Sequence, residues 1–336
     1  MLKMKLTIRE IAELSGVSIT TVSQILNKKS DRFSEETIKR VLKVVEENQY
    51  TPNYFASNII KKESKLIGVI VPFITEQFSA TLINLIRKSL SEEGYYLMVS
   101  ESSGEMKEEI ELFNRYHQIA VEAILCFTSN RFSEDVVVSS AYRNIPIVFV
   151  DAGINNSHFG NVYYNEYETV TQAIEWLIQN NHEKIGLITD DGSGYSFIER
   201  SNAYFDTMKN NKKEIYPHLV VKTDFSVENG YQATKTILKD EEVTAIFCCD
   251  DNLALGCYQA VYDSGKKVND EIVVIGFDGI ELLKSIRPQI QTLEIPFHEY
   301  AEILSKKLIK AIAFPHQKQE DDYLKMKFIE KKETTI

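Results

Sequence analysis

Residues 18–27, Ser-Ile-Thr-Thr-Val-Ser-Gln-Ile-Leu-Asn, concentrate hydroxyl and amide groups and carry no charge. On a helix, the outward residues of this stretch are Thr20, Thr21, Ser23, Gln24 and Asn27, all polar and mostly small. Such side chains allow close approach to a nucleic-acid surface, and the first residues of a helix lying in the major groove reach base edges. The same pattern also suits the exposed polar helix of a plain three-helix bundle. Periodicity alone leaves both readings open.

Other chemistries find less support. The six histidines (His117, His158, His182, His218, His298, His316) are scattered without metal-ligand spacing. Cys126, Cys248, Cys249 and Cys257 sit in apolar runs with no CxxC, a pattern of reduced, buried thiols in a cytoplasmic protein. Gly192 and Gly194 follow a strand and precede a helix, but Phe197 stands where a dinucleotide fingerprint needs its third glycine. No nucleophile elbow or paired catalytic motif occurs, so neither an enzyme nor a metal or cofactor is expected.

The elements that would carry these residues fall into two regimes. Thr7 caps a first helix from Ile8 to Ser15, which Gly16 ends. Ser18 caps a second, Ile19 to Leu26, and Ser34 a third, Glu35 to Gln49, which Thr51-Pro52-Asn53 stops. From Ser64 onward, short Val- and Ile-rich strands alternate with helices. The strands are expected at Leu66–Val71, Tyr96–Ser100, Ala123–Phe127 and Ile147–Val150, then at Ile185–Thr189, Leu219–Lys222, Ala245–Cys249 and Val273–Gly276. Apolar strands alternating with helices imply parallel sheets covered on both faces, here two similar lobes separated near Asp151–Val162. Ligands in such sheets bind at the carboxyl ends of the strands, across the cleft between lobes.

Charge divides along the same line. The 336 residues carry a net −11, yet residues 1–63 hold 11 Lys and Arg against 8 Asp and Glu, a net +3, leaving −14 for the remainder. Local charge near the phosphates, not the total, governs affinity for nucleic acid. No stretch approaches the ~18 uninterrupted apolar residues of a membrane span, and the charged N-terminus lacks the apolar core of a signal peptide.

The residues themselves narrow the choice. Thr7-Ile8-Arg9-Glu10-Ile11-Ala12, Gly16-Val17-Ser18, Thr21-Val22-Ser23 and Asn27, continued by Ser34, Thr37, Val41, Tyr50-Thr51-Pro52-Asn53 and Ala56, closely resemble the lactose-repressor family. The body keeps matching at Leu66-Ile67-Gly68-Val69-Ile70-Val71-Pro72, Ala254-Leu255-Gly256, Gly265, Ile275-Gly276-Phe277-Asp278 and Thr292, so the resemblance covers essentially the whole chain. It implies an α plus α/β fold: an N-terminal helix-turn-helix headpiece (1–52), a hinge helix or linker (53–63), and a two-lobed, periplasmic-binding-protein-like sensor (64–336). Lobe 1 is expected to comprise about 64–162 plus 293–320, and lobe 2 about 163–292 plus 321–336.

In that family the residues matching Ile19, Thr20 and Gln24 choose the operator bases, while Thr7, Ser18, Thr21, Ser23, Asn27, Asn53 and Ala56 would also meet DNA. Gln24 replaces the more frequent Arg. Arg favours the paired acceptors of guanine and Gln pairs with adenine N6 and N7, so an A·T pair is expected where relatives often read G·C. The loop Lys28 to Arg32 is one residue longer than usual and contains Asp31. Ile59 matches a leucine that the family drives into the central base step, although packing against a dimer mate would use the same side chain.

For the sensor, the resemblance assigns effector contacts to Arg200, Asp278 and Phe225, with Asp250 standing where Asn is usual. Phe73, Gln77 and Phe78, in the loop after the first strand, should face the same cleft. For each, a lobe-internal salt bridge or core packing is the competing reading. Two carboxylates with one Arg suit a neutral, hydroxyl-rich ligand such as a sugar. Tyr164, Asn269 and Gly279 depart from the family pattern, which puts the ligand, not the fold, away from the average. The expectation is a cytoplasmic homodimeric transcription repressor on palindromic double-stranded DNA, controlled by a small sugar-like effector, with no membrane partner. A global carbon regulator under a phosphocarrier protein and a sugar-binding receptor module are the alternatives.

Overall fold

Thr7 starts the chain's first helix, α1 (Ile8–Ser15), through a reciprocal cap: its hydroxyl accepts from the Glu10 N–H, and the Glu10 carboxylate accepts the Thr7 N–H at 2.6 Å. That bond holds the Glu10 carboxyl below its usual range. Gly16, at φ 64°, ends the helix in the left-handed conformation, and the Val17 N–H folds back onto the Ala12 carbonyl. Ser18 then caps α2 (Ile19–Leu26) by accepting the Thr21 N–H at 3.1 Å, and Ser34 caps α3 (Glu35–Glu47) in the same way. Ile11, Ala12, Val22, Ile25 and Val41 form the buried centre of this bundle, with Leu6, Ile8, Val17, Phe33, Ile38 and Tyr50 around it.

A computed structural model of the chain describes residues 6–27, 29, 31–51, 63–128, 145–150, 158–190 and 195–328. It divides into two units, Met1–Ser64 and Lys65–Ile336. Residues 53–62, where the hinge helix is expected, lie outside the described residues.

The second unit is built on two sheets. In the first, β1 (Leu66–Val71), β2 (Tyr96–Glu101), β3 (Ala123–Phe127) and β4 (Ile147–Val150) lie in the order β2-β1-β3-β4, all parallel. Every residue of β1, β3 and β4 is buried, as expected of parallel strands covered on both faces. Helices α4 (Gln77–Glu92) and α5 (Met106–Ile119) follow β1 and β2 in the chain.

The chain then enters the second sheet by way of β5 (Val162–Tyr164) and α6 (Glu166–Gln179). Here β6 (Ile185–Thr189), α7 (Tyr195–Asn210), β7 (Val220–Lys222), α8 (Val227–Ile237), β8 (Ala245–Cys248), α9 (Asp251–Asp263), β9 (Val273–Asp278) and β10 (Gln291–Glu294) build up a six-stranded sheet with β12 (Lys327–Phe328). Its order is β12-β10-β9-β8-β6-β7, antiparallel only at β12. The second sheet is therefore larger than the four strands expected. Because β10 pairs with β9, the return to the first sheet comes after Glu294, not at 293. That return is made by α10 (Phe297–Ala313), which packs on α4. Gly256 is needed where α9 crosses α8: a Cβ there would collide with the Val227 carbonyl oxygen and the Tyr231 nitrogen.

Between the sheets, β11 (Asp322–Leu324) pairs in parallel with β5, Asp322 opposite Val162. Lys307 of α10, only 4% exposed, reaches into this crossing. Its ammonium donates to the carbonyls of Phe159 (3.3 Å) and Glu320 (2.7 Å) and pairs with Asp322 (2.7 Å).

Candidate functional site

Two groups of residues emerge, one on each unit. On the first, α2 presents Ile19 (45% exposed) and Thr20 to solvent at its N-terminal turn, while Val22 and Ile25 are held in the bundle core. Much of the remaining polar face is occupied with positioning the helix. Ser18 Oγ contacts Thr21 Oγ1 at 2.9 Å, and the Asn27 amide donates to the Ser23 carbonyl at 2.7 Å. Thr7 serves the α1 cap. Gln24 is bound through its side-chain oxygen by the Arg32 guanidinium, which also lies 5.1 Å from the Phe33 ring centroid. Arg32 was not among the residues expected to matter, because the longer loop obscured which of its positions would come back to α2. Asn53, Ala56 and Ile59 lie outside the described residues.

On the second unit, the carboxyl ends of β6, β8 and β9 bring Asp190, Asp250 and Asp278 into one region, with Arg200 of α7 among them. Asp250 is the N-cap of α9: its Oδ1 accepts the N–H of Asn252 (2.6 Å) and of Leu253 (3.2 Å). Asp251 behind it accepts from the Gly279 and Ile280 N–H groups (2.8 and 2.9 Å) and from the Thr292 hydroxyl (2.7 Å). These bonds fix the turn in which Asp278 adopts φ 112°, a conformation that an L-residue holds only when its surroundings impose it.

Arg200 is 3% exposed. Its Nε donates to the Glu166 carboxylate at 3.0 Å, one terminal nitrogen donates to the Cys249 carbonyl at 2.7 Å, and the other stands 4.0 Å from Asp278. Its guanidinium lies 3.5 Å from the Phe277 ring centroid and 4.8 Å from that of Phe197, which stacks on Phe225 at 4.2 Å. Arg200, Phe225, Asp250 and Asp278 are thus brought together. The lobe-internal ion pair weighed against a ligand contact for Arg200 is what the structure forms.

From the first sheet, the loop after β1 exposes Phe73 (48%) and Gln77. Phe78, expected to face the cleft, is instead a core residue packed against Phe127, Phe297 and Tyr300, because α4 begins at Gln77 and turns position 78 inward. Glu76, Glu166, Asp251 and Phe197 are site residues that the sequence did not single out. Among the described residues no group of His, Cys, Asp or Glu could hold a metal ion, and no helix is long and apolar enough to cross a membrane.

Burial dominates the titration of this cluster, pushing Asp250 from the ordinary 3.8 up to about 6 and Asp251 up to about 8, with Asp278 also raised. The folded chain thus retains protons that the unfolded chain releases. The stability they contribute is complete below about pH 4 and is lost as pH rises toward 8. The melting temperature of the second unit is expected to fall by several degrees between pH 5.5 and 8.5, and Asp251→Asn should flatten that slope. A melting temperature rising over this range would contradict the assignment.

Comparison with known proteins places these two units. Residues 7–53 match the model for bacterial regulatory proteins of the lacI family, and residues 174–334 match a periplasmic binding protein-like domain. A Bacillus subtilis protein named probable HTH-type transcriptional repressor ExuR is 29% identical over 94% of both chains. The ribose operon repressor of Haemophilus influenzae is 27% identical over 93% of both. Among solved structures, a lac repressor dimer bound to operator and the anti-inducer ONPF matches with a TM-score of 0.83 at 22% identity, covering 97% of this chain and 98% of that one. A regulator from Enterococcus faecium with bound ribose matches at 0.70 and 23% identity, over 79% and 97%.

Proposed function

Because the chain belongs to the lacI family of bacterial regulatory proteins, we propose that it is a cytoplasmic, non-catalytic repressor of a carbohydrate-utilisation operon. Its affinity for a palindromic operator is set by a small hydroxyl-rich effector held in the cleft of the second unit. The observation that carries the DNA half of this reading is α2: capped by Ser18, anchored by Val22 and Ile25, and presenting Ile19 and Thr20 at its exposed N-terminal turn, with Gln24 one turn on. The sensor half rests on Asp250, Asp278 and Phe225 meeting at the carboxyl ends of the strands, where ligands bind in open α/β sheets. A homodimer would place two headpieces on two half-sites, with residues 53–63 as the hinge and Ile59 as its apolar wedge.

Arg200 has a changed role here. Held by Glu166 and the Cys249 carbonyl, it places a positive charge beside Asp278 and positions that carboxylate, while Asp278 and Asp250 meet the ligand. The test is linkage. Fluorescence anisotropy of an operator duplex with the full chain should shift in affinity at least about 5-fold with one member of a small-molecule panel. The sign distinguishes an inducer from a corepressor. If no compound of any class changes operator affinity, control belongs to a protein coregulator.

A further inference from the structure

Among the described residues, the two sheets of the second unit are joined by the segment through β5, the segment through β11, and residues 294–297. β5 and β11 travel together as a parallel ribbon, with Tyr163 directly opposite Tyr323 and their rings 5.5 Å apart. Bonds outside the ladder extend the pairing at both ends. The Gln319 N–H donates to the His158 carbonyl at 3.0 Å, the Asn161 N–H to the Asp321 carboxylate at 2.7 Å, and the Met326 N–H to the Asn165 side-chain oxygen at 2.8 Å.

Lys307 fastens this ribbon to α10. An ammonium has three donors, and here they go to the Phe159 carbonyl on the β5 segment, the Glu320 carbonyl on the β11 segment, and the Asp322 carboxylate within β11. Gly160 leaves room for this contact, since a Cβ there would collide with the Glu320 carbonyl oxygen and crowd the ammonium. The Gln319 amide donates in turn to the Lys307 carbonyl at 3.1 Å. α10 itself packs on α4, β3 and β4, so the anchor belongs to the first-sheet lobe. Stability does not call for a lysine at this place. A buried ion pair replaced by a well-packed apolar side chain is commonly neutral or stabilising, and Leu304, Leu308 and Ala311 on the same buried face of α10 are apolar. What the three donors add is direction.

We propose that Lys307 is a positioning residue for the allosteric change: it makes the ribbon part of the first-sheet lobe, so that the lobes turn about one joint, at Asn165 and Met326, and not along the whole crossing. The proposal rests on the reading of the second unit as a two-lobed sensor. Residues 294–297 lead from the candidate site to the same region, because the Ile295 N–H donates to the Asp278 carbonyl at 3.0 Å. Coupling between effector and operator needs discrete lobe settings that each ligand favours differently. Without the anchor the ribbon bends at several points and those settings merge into a continuum.

The test reads lobe-to-lobe distances by pulsed electron paramagnetic resonance and needs no effector. Spin labels are attached through Glu92→Cys, exposed at the end of α4, and Glu241→Cys, exposed between α8 and β8. The native thiols Cys126, Cys248, Cys249 and Cys257 are all buried and do not compete for label. The doubly labelled full chain is diluted into a large excess of unlabelled chain, so that only distances within one chain contribute. Lys307→Met is expected to widen the distance distribution at least about twofold, since mean-square displacement rises as stiffness falls. Lys184→Met is the control: it removes a cation paired with Asp240 at 2.9 Å and Glu242 at 2.6 Å inside the second-sheet lobe, and should lower the melting temperature without widening. Asp322→Ala, at a half-exposed carboxylate, repeats the test with a smaller widening should Lys307→Met fail to fold. An unchanged width in the folded variant, or equal widening by Lys184→Met, overturns the positioning role. Operator titration with the small-molecule panel tests the sensor reading separately.

Discussion

Replacing Arg200 with Met is expected to cost the second unit about 3–5 kcal/mol, read as a lower denaturation midpoint at unchanged slope. The guanidinium is the shared partner of Glu166 at 3.0 Å, of the Cys249 carbonyl at 2.7 Å and of Asp278 at 4.0 Å, and all of them are buried. Its removal strands two carboxylates in a medium that solvates neither. Methionine keeps the volume between Phe277 and Phe197, so a cavity contributes little to the loss. The pair Arg200→Met with Glu166→Gln should recover part of the stability, because one of the two charges is then gone. A loss under about 1 kcal/mol would mean that Arg200 is a solvated binding group after all, in the range of exposed ion pairs. The consequence for experiment is direct: Arg200 is a poor probe of ligand binding, since its loss perturbs the fold, and Asp278→Asn is the cleaner one.

The second large effect lies on α2. On the proposed reading, Gln24→Ala is expected to weaken operator binding by about 1–3 kcal/mol and to flatten the preference at one base pair in each half-site, because a glutamine amide pairs in bidentate fashion with adenine N6 and N7. Arg32 holds the Gln24 oxygen in the free chain, so it limits how Gln24 turns before DNA arrives. If Arg32 passes from Gln24 to a phosphate once DNA is bound, Arg32→Ala should weaken all sequences alike and reduce the salt dependence by about one phosphate contact. The two substitutions are separated by titrating each variant against operators that differ at that single pair. Equal weakening by Gln24→Ala at every base would show that Gln24 does not read sequence.

What the sequence made legible follows from how local its signals are. Thr7, Ser18 and Ser34 cap helices by bonds spanning three residues, and Gly16 ends α1 through its own dihedral, so the headpiece elements could be placed nearly to the residue. The end of α3 falls at Glu47 and not at Gln49, because Gln49 turns to φ 49° and the Tyr50 N–H returns to Val45. Likewise β7 starts one residue late because Pro217 opens a short 3-10 turn, Pro217–Leu219. The four strands of the first sheet and β6 to β9 of the second were visible as apolar runs. Neither β10 nor the extension of β9 to Asp278 was: the positive φ of Asp278 is imposed by Asp251, 27 positions earlier.

The site was legible only where the resemblance to the family supplied it: Arg200, Asp250 and Asp278 were placed by matched positions in the sequence. Their partners were not: Glu166 is one of many glutamates until the fold brings it 3.0 Å from an arginine 34 residues away. Glu76 and Phe78 show the same limit within a single turn, since where α4 begins decides which of them meets the cleft and which enters the core.

On the proposed reading, the first unit reads a DNA sequence as half of a symmetric pair. That reading is tested most directly by selection of bound duplexes from a random pool with the full chain, followed by sequencing. The expected result is enrichment of a palindrome whose half-sites each carry an A·T pair opposite Gln24, and loss of that pair from the selection with Gln24→Ala. Recovery of no common sequence, or of a single unpaired half-site, would contradict it.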